Sequence, residues 1–320
     1  MKKNKIKDTG LEVTELSFGT SSLGSMPDTY GYEVSENRAQ KTLNRFFQGP
    51  VNMLDTSRNY AMGESEKRIG KAIKENGGWP NGFLLSTKLD RNMDTLVLDK
   101  NRVRESLEES LKTLNVDSVD ILFLHDPEYA KDITDITKKD GAMDELFKIK
   151  NEGLAKAAGV AMGKVDIMFP LLKNWDFDVI INHNRYTLLN RETNEMYDYA
   201  SSKNIAIFNA APYAGGVLAK GPDNFKKITY QDATEEKLAP AREFEKVCKK
   251  HNVELGAAAL QFSLRDNRIT STICGVTSVE SIEKTLAWAN TNIPEEFWNE
   301  VLKLPYSTKD PESERNFTPG

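Results

Sequence analysis

Short apolar runs alternate with amphipathic segments along almost the whole chain. Eight runs have the length and composition of buried strands: 14–19, 51–55, 83–87, 119–124, 155–160, 178–182, 205–209 and 269–273. The segments between them repeat apolar residues every three or four positions, which is the spacing of one buried helix face. In one segment Ile69, Ala72 and Ile73 stand at i, i+3 and i+4, and Gly77-Gly78 predicts its end. The pattern therefore predicts strands and helices in alternation.

The predicted helices lie at 36–48, 65–76, 100–114, 142–151, 165–173, 193–202, 240–251, 255–265 and 279–290. Eight strands separated by helices of ordinary length predict an α/β fold, a single (β/α)8 TIM barrel over 1–320. An open doubly wound sheet can show the same alternation, so periodicity alone does not decide between the two. The sequence contains neither G-x-G-x-x-G after a strand nor G-x-x-x-x-G-K-[ST]. Their absence weakens the usual dinucleotide-sheet and P-loop interpretations and favours the barrel.

Composition and charge restrict the class of protein. With 39% hydrophobic and 28% charged residues among 320, the chain can form a packed core. The formal charge of -5 and the lack of a concentrated basic block argue against a nucleic-acid or anionic-membrane partner. No run approaches about 20 apolar residues, and the N-terminus lacks the apolar stretch of a secretory signal. The two cysteines, Cys248 and Cys274, show no metal-binding spacing, so we expect a reduced, cytoplasmic protein.

Ionisable residues stand at the ends of three consecutive predicted strands. Asp55 ends the second strand, Lys88 follows the third and His125 ends the fourth. In a barrel of this kind the chemistry takes place at the carboxyl ends of the strands, so these three groups should converge. Tyr60 lies in the short segment before the next helix and can fold back over the same end. Each of these residues alone can have a purely structural role, in a turn, in packing or as a solvated side chain. The occurrence of all four at one end of the barrel favours a catalytic role.

These four side chains suit proton transfer coupled to another step. A free tyrosine has a pKa near about 10, too high for ready proton exchange at neutral pH. We expect the Lys88 ammonium to lower the pKa of Tyr60, and Asp55 to keep Lys88 charged and oriented. His125 is expected to hydrogen-bond the oxygen of a carbonyl or alcohol. No G-x-S-x-G elbow occurs and the three histidines are scattered, so neither a serine hydrolase nor a metal site is predicted.

The sequence resembles the aldo-keto reductases, NAD(P)-dependent oxidoreductases on a (β/α)8 barrel, over nearly the whole chain. The segment 54–66, LDTSRNYAMGESE, is similar to the family's most specific motif, D-T-x-x-x-Y-G-x-[SG]-E, with Ala61 where Gly is usual. The segment 9–20, TGLEVTELSFGT, resembles the family's N-terminal β-hairpin and first strand. The resemblance implies that the family's catalytic tetrad corresponds to Asp55, Tyr60, Lys88 and His125.

Three further segments resemble a sugar-oxidising branch of the family: 124–128 (LHDPE), 184–189 (NRYTLL) and 210–218 (AAPYAGGVL). That branch includes D-threo-aldose, L-fucose and L-galactose dehydrogenases and pyridoxal 4-dehydrogenase. The resemblance implies hydride transfer between a nicotinamide cofactor and a small-molecule sugar hemiacetal or carbonyl, converting an aldose to a lactone. Two alternatives stay open: a general aldehyde or ketone reductase, such as a pyridoxal-type dehydrogenase, and a non-enzymatic cofactor-binding module on the same fold.

The resemblance also implies a set of cofactor contacts: Gly19, Thr20, Asp55, Asn182, His183, Ala211, Pro212, Gly215, Gly216, Val217, Leu218, Gly275, Thr277 and Ser281. The segment 211–218 would hold the pyrophosphate with backbone N–H groups, which the paired glycines suit. The sequence departs from the family at two places. Ala161-Met162 replaces the usual Ser-Asn pair, and Ala210 replaces the aromatic residue that stacks on the nicotinamide, for which Phe208 or Tyr213 could compensate.

The segment 275–285 predicts the choice between the two cofactors. Many NADP-preferring relatives begin this segment with Lys-Ser and carry an Arg six positions later. Here the matching positions are Gly275-Val276 and Ser281, and Glu280 and Glu283 add negative charge. Without a cation the 2′-phosphate loses its charge-assisted hydrogen bonds, so NAD is predicted. NADP stays possible through Lys284 or the start of the helix.

Three irregular segments have predicted roles. The segments 127–141 and 219–237 exceed common connection lengths and lie at the functional end of the barrel, so they should set substrate choice. The tail 307–320 has Phe317 as its one large apolar residue and is expected to be loosely held, although it could fold across the mouth.

Overall fold

The barrel strands are parallel and close on themselves. In a computed structural model, which describes residues 1–315, they are β1 (Leu16–Gly19), β2 (Met53–Asp55), β3 (Leu84–Leu89), β4 (Val119–His125), β5 (Ala155–Met162), β6 (Val179–His183), β7 (Ala206–Ala210) and β8 (Ser271–Gly275). Each strand pairs with its sequence neighbour, and β8 pairs with β1 in the register Cys274 to Phe18. The predicted (β/α)8 barrel is confirmed, and the open doubly wound sheet is excluded by the closure.

Helices cover the outside of the barrel. They are α1 (Glu36–Phe46), α2 (Glu64–Glu75), α3 (Lys100–Leu114), α4 (Ala142–Asn151), α5 (Val165–Asn174), α6 (Asn194–Ser202), α7 (Glu235–Lys250), α8 (Leu255–Leu264), α9 (Val279–Ala289) and α10 (Glu295–Val301). Helix α7 begins five residues before the predicted start at Pro240, because the Thr234 hydroxyl accepts a hydrogen bond from the backbone N–H of Lys237 and caps it. Among residues 1–315, no helix has the length and apolar character that a membrane span requires.

An N-terminal hairpin closes one end of the barrel. Its strands Lys3–Ile6 and Leu11–Thr14 pair antiparallel, with Ile6 opposite Leu11. The hairpin residues Ile6, Leu11 and Val13 join one buried cluster with inward-facing barrel residues such as Met53, Phe123 and Phe208. Because alternate residues of a strand point to opposite faces, Leu122 and Leu124 belong instead to the layer between the barrel and its helices. The hairpin leaves the carboxyl end of the barrel for the functional site.

The described part of the C-terminal tail is held against the barrel. Arg185 is fully buried and donates to Asp310 Oδ1 at 2.6 Å, and Asn184 Nδ2 donates to Glu312 Oε1 at 2.8 Å. Glu312 is only 5% exposed. In contrast to the expected loosely held tail, residues 307–315 contact the residues after β6 through these buried charged and polar groups. Phe317 lies outside the described residues.

Candidate active site

A cavity of about 530 Å³ opens at the carboxyl end of the barrel. Its wall contains all four residues that the strand ends and the resemblance single out: Asp55, Tyr60, Lys88 and His125. The structure brings them together because β2, β3 and β4 are adjacent parallel strands that end at the same edge.

Lys88 connects the carboxylate and the phenol of this group. Its Nζ lies 2.7 Å from Asp55 Oδ2, 2.6 Å from the carbonyl oxygen of Thr56 and 3.0 Å from Tyr60 Oη. The hydroxyl of Ser86 donates to Asp55 Oδ1 at 2.9 Å. Lys88 is 1% exposed and Asp55 4% exposed, so this ion pair is buried and its hydrogen bonds hold the ammonium in one orientation.

Tyr60 begins a single tight turn, Tyr60–Gly63, before helix α2. Ala61 and Met62 both have positive φ, 52° and 54°, a backbone conformation that glycine adopts more easily. This explains why Gly is usual at position 61 in the family. A Cβ on Gly24 would lie 2.5 Å from the Ala61 Cβ, so a residue without a side chain is needed opposite the turn.

Burial governs the proton affinity of Tyr60. Burial and, after it, the negative charge of Asp55 raise the pKa of the Tyr60 phenol well above its ordinary value of 10.0. Burial and Asp55 thus act against the predicted lowering of this pKa by Lys88, whose Nζ lies 3.0 Å from Tyr60 Oη. Burial therefore favours the neutral phenol, which is the form that donates a proton in carbonyl reduction.

His125 has a carboxylate partner that sequence reasoning missed. Its Nδ1 lies 2.6 Å from Asp90 Oδ1, and Asp90 Oδ2 accepts hydrogen bonds from Ser57 Oγ at 2.5 Å and the Asn59 N–H at 3.0 Å. The rings of His125 and Tyr60 are 5.8 Å apart and nearly perpendicular, at 81°. The signal for Asp90 was its position two residues after Lys88, which places an ionisable side chain at the same end of the barrel.

The two partners shift each other's pKa. Burial acts to lower the pKa of His125, but the carboxylates of Asp126 and Asp90 outweigh it and raise that pKa above 6.5. Burial acts to raise the pKa of Asp90, but His125 and the hydrogen bonds of Ser57 and Asn59 lower it below 3.8. The pair is therefore an imidazolium and a carboxylate over a wider pH range than two isolated groups.

The cofactor residues implied by the resemblance fall into two groups. Those on the cavity wall are Gly19, Asp55, His183, Ala211, Gly215, Gly216, Gly275, Thr277 and Ser281. The remaining five, which do not line the cavity, are Thr20, Asn182, Pro212, Val217 and Leu218.

Two members of the second group support the cavity wall from behind. Thr20 Oγ1 donates to the carbonyl oxygen of Asp55 at 3.0 Å. Asn182 Nδ2 donates to the carbonyl oxygens of Met162 and Gly163 at 3.0 and 2.8 Å, while its buried Oδ1 accepts no hydrogen bond from the described residues. Asn182 is fully buried, so this oxygen lies behind the cavity wall.

The segment after β7 fits the phosphates of a dinucleotide. Gly215 and Gly216 have φ of 77° and 124°, and a Cβ on Gly215 would lie 2.9 Å from the backbone N of Tyr230. Glycine is therefore required for the turn and for its packing under the 229–230 segment. Of the two aromatic candidates, Phe208 is buried inside the barrel, whereas Tyr213 lines the cavity with its ring 5.7 Å from that of Trp288.

The segment 275–285 is close to two cations. Lys284 lines the cavity with its Nζ 4.7 Å from the centre of the Trp288 ring. Arg38 of helix α1, which the sequence did not single out, donates to Thr277 Oγ1 at 3.2 Å. Glu283 accepts from Arg45 Nε at 2.5 Å, so the carboxylate is already paired on the outside of the barrel.

Comparisons with known proteins agree with the fold. The Aldo/keto reductase family model matches residues 15–304. L-galactose dehydrogenase of Arabidopsis thaliana is 31% identical over 284 residues, which cover 88% of this chain and 85% of that protein. Pyridoxal 4-dehydrogenase of Microbacterium luteolum and D-threo-aldose 1-dehydrogenase of a Pseudomonas species are each 26% identical. Both alignments cover 92% of this chain, with 95% and 94% of the two relatives.

Solved structures show the same fold at lower identity. An aldo-keto reductase from Bacillus halodurans in its holo form superposes with a TM-score of 0.77 at 20% identity, covering 99% of this chain and all of that chain. The glycerol dehydrogenase of Gluconobacter oxydans gives a TM-score of 0.72 at 20% identity, with 94% of both chains covered. This chain therefore belongs to the aldo/keto reductase family and is an NAD(P)-dependent oxidoreductase.

Proposed function

We propose that the protein oxidises a free aldose at its anomeric carbon to the lactone, with NAD as the hydride acceptor. The observation that carries the sugar assignment is Asp126, which lies on the cavity wall directly after His125. Its buried Oδ1 accepts no hydrogen bond from the described residues. A carboxylate beside His125 can accept a hydrogen bond from a sugar hydroxyl, which a large apolar ketone does not carry. The sugar dehydrogenases among the relatives support the same substrate class.

Tyr60 exchanges the proton in this reaction. In oxidation the Tyr60 phenol first loses its proton to solvent, and the phenolate Oη then accepts the proton of the anomeric hydroxyl. In reduction the phenol gives its proton to the carbonyl oxygen. Lys88, 3.0 Å away, donates a hydrogen bond that stabilises the phenolate form of Tyr60, and Asp55 keeps the ammonium in place. His125 positions the reacting oxygen. When bound, a nicotinamide cofactor would supply the hydride chemistry at the substrate carbon.

The residues that would hold the cofactor are those of the cavity wall around Gly215 and Gly275. The glycine turn after β7 would receive the pyrophosphate. Neutral residues at 275, 276 and 281 favour NAD. Lys284 and Arg38 are the cations through which NADP would compete.

The test is a panel of substrates followed by the absorbance of reduced nicotinamide, with NAD and NADP each titrated at fixed substrate. The panel contains free aldoses, pyridoxal, aromatic aldehydes and steroids. We expect turnover of a narrow set of aldose epimers, since a hydrogen-bonding site discriminates strongly between substrates that differ by one hydroxyl. The lactone is identified as the product by NMR.

Each other outcome contradicts one part of the proposal. Faster turnover of aromatic aldehydes or steroids than of every aldose refutes the substrate class, and preference for pyridoxal supports the pyridoxal-type alternative. A kcat/KM for NADP more than about tenfold above that for NAD refutes the cofactor preference, because tenfold corresponds to about 1.4 kcal/mol of charge recognition. Cofactor binding without turnover of any substrate supports the non-enzymatic module.

A further inference from the structure

We propose that Asp90 is a positioning residue that holds His125 as an imidazolium, with Nδ1–H donated to the carboxylate and Nε2–H presented to the reacting oxygen. This inference rests on the proposed function and specifies how His125 serves it. The mechanism above uses the imidazole but does not require any charge on it.

The contacts of Asp90 indicate that its carboxylate holds the imidazole ring of His125. Asp90 is fully buried, and its Oδ2 is occupied by Ser57 Oγ and the Asn59 N–H. Its other oxygen faces His125 Nδ1 at 2.6 Å. A buried carboxylate requires a cation or several donors to offset its desolvation, and the imidazolium is the cation in contact with it.

The contact fixes the tautomer of the imidazole. A carboxylate only accepts hydrogen bonds, so Nδ1 of His125 must carry a proton to bond with Asp90 at 2.6 Å. A neutral ring in that tautomer has a bare Nε2, which accepts a hydrogen bond and cannot donate one to a carbonyl oxygen. The ring donates from Nε2 only when it carries both protons. Asp90 therefore makes the protonated state of His125 the condition for donating to the substrate.

The groups that face His125 favour that state. Asp126 Oδ1 lies 3.8 Å from Nε2, and Asp90 contacts Nδ1. Burial, the Lys88 ammonium and the neighbouring His183 act against protonation of His125. Tyr60 faces the imidazole ring as a neutral phenol. Lys88 is already neutralised by Asp55. The two nearby carboxylates therefore raise the pKa of His125 by more than burial and the paired ammonium lower it.

Tyr60 and His125 have separate tasks at the reacting oxygen. Tyr60 transfers the proton, and His125 donates a charged hydrogen bond that stabilises negative charge developing on the oxygen. Loss of the imidazolium should therefore lower the rate without abolishing proton transfer. Carbonyl reduction should fall as pH rises through the pKa of His125.

The direct test is nitrogen NMR of the full-length protein, whose three histidines make assignment simple. In the wild type we expect Nδ1 of His125 to stay protonated from acid to mildly alkaline pH, with only Nε2 titrating. Asp90→Asn keeps the size and an acceptor but removes the charge, so the pKa of His125 should fall by at least about one unit. Asp94→Asn removes an exposed carboxylate four residues away and should leave the titration unchanged.

Kinetics gives the second measurement. In Asp90→Asn the pH above which reductive kcat/KM declines should move down by the same interval as the NMR titration, and the signals of His183 and His251 report that the fold is intact. A His125 pKa unchanged in folded Asp90→Asn overturns the proposal. If that variant does not fold, a wild-type spectrum with Nδ1 unprotonated overturns it as well. The NMR results do not depend on turnover, so failure of the sugar assignment would be recognised separately.

Discussion

The ammonium of Lys88 lies 2.7 Å from the carboxylate of Asp55, and both side chains are almost completely buried. Removing one partner of a buried ion pair leaves an uncompensated charge, so Asp55→Asn should destabilise the protein by about 3 kcal/mol or more. The double variant Asp55→Asn/Lys88→Met should regain much of that stability but no activity. Urea unfolding and steady-state kinetics check the two effects. A single variant as stable as the wild type would contradict the buried pair.

Tyr60→Phe should lower kcat by at least about 10²-fold, the low end for removing a general acid or base. Cofactor affinity should change little, because the phenyl ring retains its place in the cavity wall. Tyr199→Phe, the same change on helix α6, is the matched control and should keep wild-type turnover. Near wild-type turnover by Tyr60→Phe would remove this residue from the mechanism.

Glu66→Gln should stabilise the protein above neutral pH. Burial raises the pKa of Glu66 to about 7 from 4.5, although the Thr87 hydroxyl donates to its Oε1 at 2.6 Å. The folded state therefore favours the protonated carboxyl. That contribution is complete below about pH 4.5 and is lost as pH rises through about 7.

The neutral amide of Gln avoids that loss. The stability of Glu66→Gln relative to the wild type should increase by roughly 2–3 kcal/mol between about pH 5 and pH 8, at 1.36 kcal/mol for each unit of pKa. Denaturant titrations at both pH values measure it. Glu105→Gln, on the exposed face of α3, should show no such trend. A stability difference independent of pH would mean that Glu66 is ionised in the folded protein.

Gly215→Ala should weaken cofactor binding by about tenfold or more, because the new methyl would displace the 229–230 segment from the cavity wall. Gly10→Ala is the matched control: Gly10 has the same φ of 77°, has open space around it and lies at the far end of the barrel. Both variants should lose about 1–2 kcal/mol through backbone strain. Cofactor affinity is measured by tryptophan fluorescence. Equal affinity in the Gly215→Ala and Gly10→Ala variants would show that close packing under the 229–230 segment does not affect cofactor binding.

Glu312→Ala should release the C-terminal segment from the barrel. Its carboxylate accepts from Asn184 and lies 3.7 Å from Arg185, both of which are buried. The unfolding free energy should fall by about 2 kcal/mol, and proteases should cleave the tail faster. Glu314→Ala removes an exposed partner of Lys237 and should change stability by less than about 0.5 kcal/mol. Unchanged proteolysis in Glu312→Ala would show that other contacts hold the tail.

The local pattern of the sequence was sufficient to predict the barrel and to place the four tetrad residues at one end of it. Each predicted strand overlaps an observed one, because the buried strands of a parallel barrel are continuous apolar runs with polar residues at their carboxyl ends. Closure makes the ends of neighbouring strands meet, so Asp55, Lys88 and His125 could be brought together without coordinates. The start of α7 was less predictable, because a proline inside a helix is usually read as its beginning.

The tertiary structure decided what depends on contacts between distant segments. Asp90 became a partner of His125 only through the adjacency of β3 and β4. The described tail is held by distant residues such as Arg185, 125 positions before Asp310. The pKa of Tyr60 depends on desolvation and on the nearby carboxylate of Asp55, neither of which a residue type reveals. Periodicity and strand-end chemistry are local properties that a sequence records directly. Burial, charge compensation and long-range hydrogen bonds exist only once the chain has folded.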